Sequence, residues 1–260
     1  MTARRSSALL ALGISLARRG ILASVSIGIC VLTVAVMALV AAVFATRANA
    51  PVHDIPLLAS SALAWGGGFL LAFAAAAHAF RRDRTDGVRA LVVARTRSLR
   101  GYLVARVGGL AALVAILVAG GTLICGLVAV VAAAKVASVP RTLQATMAAV
   151  VFAIAFAAVV APVAFAALGA RSRMGGYVFL LAIVTLPELL VSAMGSSIPA
   201  SVADVLSIPS ALGALRSGLA PGTAEIGRAL RALVALLFFI AFAIAFVRRD
   251  ALRVEQEEEP

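Results

Sequence analysis

The 260-residue sequence predicts an all-α polytopic membrane protein of about six transmembrane helices. Three observations predict it. Hydrophobic residues make up 63% of the chain and charged residues only 13%, against roughly 25% charged in a soluble domain, and the mean hydropathy is strongly positive. The apolar residues fall in runs close to or above about 20, the length that crosses a hydrocarbon core as a helix. The formal charge of +12 sits between those runs instead of covering one soluble face. A water-soluble fold could not hide so much apolar surface, and this charge pattern does not imply nucleic acid as a partner.

Backbone N–H and C=O groups find no water in a bilayer core, so each run is expected to be a helix. The runs are Gly20–Thr46, Leu57–Phe80, Leu103–Ala134, Leu143–Ala170, Gly175–Val191 and Leu230–Val247. Residues 20–247 thus read as one six-span domain. The apolar run after Arg19 is too long for the core of a cleavable signal and long enough to span. Residues 1–19 are too polar to cross. Their leucines and paired arginines suit an interfacial helix on the cytosolic face. Residues 192–227 carry Pro199, Pro209 and Pro221 among small residues, which predicts short re-entrant or surface helices on the outer side. Residues 248–260 form a cytosolic acidic tail, whose run Glu255-Gln256-Glu257-Glu258-Glu259 is expected to be disordered.

Orientation follows from basic residues. With the N-terminus inside, four lie in 1–19, eight in 81–106, two in 171–173 and three in 248–253, against six on the outer side. The chain is therefore expected to be a multi-pass protein of the bacterial inner (cytoplasmic) membrane, with N-terminus and C-terminus both inside.

The cytosolic segment 81–102 is the most informative. Asp86 can cap a short helix, and Val88, Leu91, Val92 and Arg95 then share one face at spacings of 0, 3, 4 and 7. Ser98 can cap the start of the next helix. A short amphipathic helix clamped between two spans has the form of a lever. A basic loop against anionic headgroups would account for the arginines. It would not account for the acid pair Asp83 and Asp86, Gly87, the amphipathic turn and the serine-led restart.

The stretch FRRDRTDGVRALVVARTRSLRGYLVARV (Phe80–Val107) resembles the loop between the second and third spans of ABC-2-type transporter permeases. Within them it is most similar to the B-type permease of cytochrome c maturation, the heme exporter B subunit. Phe80, Arg82, Asp83, Asp86, Gly87, Leu91 and Arg106 carry the match. The stretch Val160–Leu190 is also similar, with a small-residue span, a basic Gly-Gly turn and a proline-containing end. The chain departs from the pattern at Thr96-Arg97-Ser98, where the family carries a proline. The resemblance implies a type V exporter-like architecture and a permease acting as a homodimer or beside a related membrane subunit. It also implies a separate ABC ATPase docked on Asp83, Asp86, Gly87, Val88, Leu91, Val92 and Arg95. ATP would belong to that partner. Heme handling is what the narrower likeness implies; lipid, glycan or drug export is what the broader class implies.

Chemistry of its own is not expected from this chain. Its sole lysine, Lys135, lacks the glycines of a phosphate-binding loop, so ATP hydrolysis would require another subunit. No zinc-protease or serine-hydrolase motif occurs. Cys30 and Cys125 sit in apolar runs as small buried hydrophobes, and no metal site or covalent cofactor is expected. His53 reads as a solvated loop residue and His78 as an interfacial one. Glu188, after Pro187 and about 20 Å along its span at 1.5 Å per residue, is the candidate cavity or gating residue. The alternative is a carboxylate meeting interfacial water where Pro187 breaks the helix. An ion-coupled secondary transporter would need more intramembrane ionisable groups than Glu188. An intramembrane enzyme would need paired acids or a nucleophile–base pair. Membrane lipids are the remaining expected partner.

The topology is directly testable. Reporter fusions at Glu259 and within 192–227 are expected to report opposite sides of the membrane. An outer-side signal at Glu259 would overturn the arrangement.

Overall fold

The computed structural model describes residues 3–44, 51–96, 98–133, 138–169, 173–194, 197–222 and 225–256. Secondary structure among them is helical, with no strand. In chain order the helices are α1 (Ala3–Ala17), α2 (Ile21–Phe44), α3 (Val52–Ala76), α4 (Ala79–Thr85), α5 (Val88–Thr96) and α6 (Leu99–Ala133). Then follow α7 (Val139–Leu168), α8 (173–194), α9 (Ala200–Leu206), α10 (Ile208–Leu219) and α11 (Ile226–Gln256).

Five stretches among the described residues are long and apolar enough to cross a membrane: α2, α3, α6, α7 and Ile226–Leu252 of α11. The expected fifth span, Gly175–Val191, lies within α8, where the apolar stretch Val178–Met194 is shorter than that length. The architecture is that of a polytopic membrane protein.

The core supports this from the energetics. α7 is the hub: Phe152, Phe156, Phe165 and a run of alanines along it are buried against α3, α6, α8, α10 and α11. The outside is the reverse of a soluble protein. Leu22, Leu32 and Leu39 of α2, and Val234, Leu237 and Phe238 of α11, are all exposed. In water these stripes would form one large sticky surface; against lipid they cost nothing.

Close packing relies on residues without side-chain bulk. α1 crosses the base of α6 with Gly13 on Gly109, so near that a Cβ on Gly13 would lie 1.8 Å from the Ala105 carbonyl oxygen. α2 crosses α3 where Gly67 meets Cys30 and Ser26. Gly67 belongs to a π-helical turn, Ala64–Gly68, and similar turns interrupt α6 at Val104–Gly108 and α8 at Leu181–Thr185. A π turn re-aims the following helix without leaving a backbone group unpaired, the form of irregularity a membrane tolerates.

One expectation needs correction in part. Of the acidic end expected to be disordered, Glu255 and Gln256 belong to α11, which continues to Gln256. Extending an existing helix needs no new nucleus, and Val247, Asp250 and Ala251 are buried against the rest of the chain. Residues 257–260, Lys135 and Arg97 lie outside the described residues. The basic N-terminal segment forms α1, and it packs on the protein: Leu16 and Ala17 are buried.

Gly13→Leu is expected to force α1 off α6. Overpacking costs typically about 1–3 kcal/mol, so the detergent-solubilised protein should melt several degrees lower. Trypsin should also cut faster at Arg18–Arg19. Gly28→Leu, at a glycine with no neighbour within 4 Å, should change neither readout.

Candidate functional site

The sequence segment 81–102 folds into an elbow joined to three other helices. α3 ends at Ala76, and His78 adopts a left-handed backbone with φ of 54° before α4 begins. The turn leaves backbone donors without a helical partner, and the end of α7 leaves carbonyls in the same state. They satisfy each other: His78 N–H donates to Leu168 O at 3.1 Å and Phe80 N–H to Gly169 O at 3.2 Å. The Phe80 ring then stacks on Phe165 at 5.6 Å and tilts against Tyr102 at 6.2 Å.

One turn further on, Asp83 points into the protein and is buried. Its carboxylate accepts from both Arg106 Nε and Arg106 Nη2, and from the Tyr102 hydroxyl at 2.7 Å. Tyr102 and Arg106 are four residues apart on α6, so both project from one face toward α4. Arg106 lies in the π turn of α6, and all three side chains are nearly inaccessible to solvent. A bidentate, charge-assisted pair of this kind fixes direction as well as distance. It locks α4 to the base of α6.

α4 ends on Asp86, whose N–H donates to Arg82 O at 2.9 Å. Asp86 therefore closes α4, whereas the sequence suggested a cap for the following helix. Gly87, with φ of 67°, makes the turn, a conformation that favours glycine. Leu91 N–H donates to Gly87 O as α5 starts. Ser98 caps α6 as expected, its hydroxyl accepting from Gly101 N–H at 3.2 Å.

The face expected to be apolar and free is divided. Val92 is buried in the chain's own core and Val88 packs half-buried against it, while Leu91 is 67% exposed. Arg95 is placed on α5 by the backbone alone. Arg89 reaches the end of α11, donating from Nη2 to Ala251 O at 3.5 Å. The elbow thus touches α6, α7 and α11, and presents Leu91 outward.

Glu188 belongs to a second polar cluster. It lies on α8 beyond the π turn and accepts from the hydroxyls of Ser207 and Ser210, the latter at 2.8 Å. Ser207 also caps α10, accepting from Ser210 N–H at 3.0 Å. The half-buried carboxylate therefore faces the positive end of a helix and two hydroxyl donors, which lowers the cost of its charge. This arrangement staples α8 to the tip of the α9–α10 segment. At the other end of α10, Arg216 donates from Nη1 to Leu57 O at 3.1 Å and to Ser61 Oγ, with its guanidinium 5.3 Å from the Phe152 ring centroid. Arg228 and Asp204 add a bidentate pair at 2.7 Å between α11 and α9. The segment expected as short outer helices is thus two helices held by a polar contact at each end.

Sequence reasoning singled out Asp83, Arg106 and Glu188 but missed Tyr102, Ser207, Ser210 and Arg216. The lone Arg216 in the periodic apolar pattern of α10 was the available signal. Neither a metal-ligating cluster nor a disulfide occurs among the described residues, and both cysteines are buried.

No protein-family model, curated protein or solved structure matches this chain. The class rests on the molecule itself: its described residues form helices and no strand, and five of those helices are long and apolar enough to cross a membrane.

Removing one partner from a buried ion pair costs about 3–5 kcal/mol, because the other charge remains desolvated. Asp83→Leu and Arg106→Met are each expected to lower thermal stability strongly. The double variant Asp83→Leu/Arg106→Met should recover part of the loss. Additive losses in this double-mutant cycle would show that the two residues act independently.

Proposed function

We propose that the chain is the membrane-spanning permease subunit of an ATP-driven transporter of the ABC type. The observation that carries the reading is the elbow. A short helix exposes a large apolar side chain, Leu91, at a position joined through Asp83–Arg106 and the His78–Leu168 contact to two long apolar helices. Such a helix can receive a push from a separate ATPase and pass it to α6 and α7 together. Rigid coupling of this kind is what shear or rocking between two states requires.

A separate nucleotide-binding subunit would supply ATP hydrolysis, and a second copy of the chain or a related subunit would complete the path. The likeness of 80–107 and 160–190 to the cytochrome c maturation permease favours a role in heme handling. Export of lipid, glycan or drug is the reading within the same class if that narrower likeness fails. Under either, the docking contact centres on Leu91, since Val92 is committed to the chain's own core, and Arg81 is an exposed charge on the preceding helix α4.

Leu91→Asp tests this. Truncating or charging a desolvated anchor costs roughly 2 kcal/mol or more, whereas rim charges contribute little. Leu91→Asp should therefore reduce retention of a co-purifying ATPase, and the ATPase stimulation it shows, by at least about tenfold. Arg81→Ala should be mild, and both variants should insert and melt normally. Full retention and stimulation with Leu91→Asp would reduce the elbow to a basic loop lying on lipid.

A further inference from the structure

Between the base of α6 and the last turns of α11 lies an open groove of about 670 Å³. Its walls are apolar, formed by side chains such as Val104 and Val107 on one side and Ile244 and Leu252 on the other. Arg100 and Arg248 line the same groove, one from each helix, and both are exposed. Among the described residues, no carboxylate lines it.

We propose that this groove is a binding site for one anionic phospholipid, with an acyl chain along the α6–α11 cleft and the phosphate between Arg100 and Arg248. The inference rests on membrane insertion and not on the ABC reading. Three observations support it. The groove has the volume of a small-molecule site, typically about 300–1,000 Å³. Its lining matches a lipid in both parts, with apolar side chains to meet an acyl chain and two exposed arginines to meet a phosphate. Both arginines belong to the basic-rich segments, 81–106 and 248–253, that would meet the anionic headgroups of one leaflet.

Charge argues against a second copy as the occupant. An isologous contact through this groove would bring Arg100 and Arg248 against their own equivalents, with no acid among the described lining residues to separate them. A phosphate removes that repulsion.

The full-length protein would be released from nanodiscs holding equal palmitoyl-oleoyl phosphatidylglycerol and palmitoyl-oleoyl phosphatidylcholine, and bound lipid read by native mass spectrometry. A basic side chain at an anionic surface is worth roughly fivefold in affinity, so two give a preference for phosphatidylglycerol of about 25-fold. Arg100→Gln/Arg248→Gln should abolish that preference. Arg81→Gln/Arg249→Gln removes the same charge from exposed positions outside the groove and should retain it. Val104→Trp, which fills the cleft and keeps both arginines, should lower retained lipid of either headgroup. Equal binding of the two lipids by the unaltered protein would overturn the proposal. An equal loss in both arginine pairs would also do so, by showing diffuse charge alone. Val104→Cys that forms a disulfide-linked dimer in membranes would overturn it too, assigning the groove to a second copy.

Discussion

The rest of the structure depends on one constraint: in an apolar medium no backbone or charged group can be left without a partner. α7 shows how it is met. It is a 30-residue helix, about 45 Å long, whose own ladder satisfies its backbone except opposite Pro162 and at its ends, and whose alanines let five neighbours approach closely. Packing of this kind replaces the hydrophobic effect as the cohesive force, because lipid tails compete for apolar surface as readily as a neighbouring helix does. Glycines at the crossings and alanines along the hub serve the same end. Each removes volume where dispersion contacts need distance to be short.

The same constraint explains where the chain breaks. The elbow after α3 exposes donors, and the end of α7 exposes carbonyls; the two meet through His78 and Phe80. Asp83 and Arg106 then neutralise each other with Tyr102 filling a remaining acceptor position. A hydrophobic trio of similar volume could hold the same helices, and buried ion pairs are weak as net stabilisers. What the ion pair adds is direction. Carboxylate and guanidinium accept only a narrow range of mutual orientation, so α4 leaves the bundle at one angle. The Glu188–Ser207–Ser210 cluster does the same for α10, with the helix N-terminus in place of a cation.

Helix identity was legible in the sequence, since apolar runs have one stable form in a bilayer and Ser98 has one obvious use at a helix start. The long-range partners were not. Asp83 and Arg106 are 23 residues apart, and nothing local to either indicates that α4 and α6 fold back on each other. The resemblance placed both in one pattern without saying that they touch. The amphipathic face of α5 was read as one surface, and the structure divides it between Val92, buried, and Leu91, exposed: period alone cannot say which of these residues turns toward its own bundle. The acidic end misled because composition describes isolated chain, whereas residues up to Gln256 extend a helix already formed.

Under the proposed coupling, division of that face also separates two roles that one surface could not hold. Val92 and Val88, packed inward, make α5 part of the rigid body that contains Asp83, Arg106 and the end of α7. Leu91, turned outward, is left to meet whatever approaches from the aqueous side. If all three had pointed outward, α5 would hang from the flexible Gly87 turn, and a force applied to it would be lost in rotation about that turn. If all three had pointed inward, there would be no apolar anchor to receive the force. Under the proposed coupling, the first residues to move with α5 are those of α6 and α7, which carry the core, and α11 through Arg89 and Ala251. α2 is exposed along most of its length, so it would follow the bundle instead of driving it.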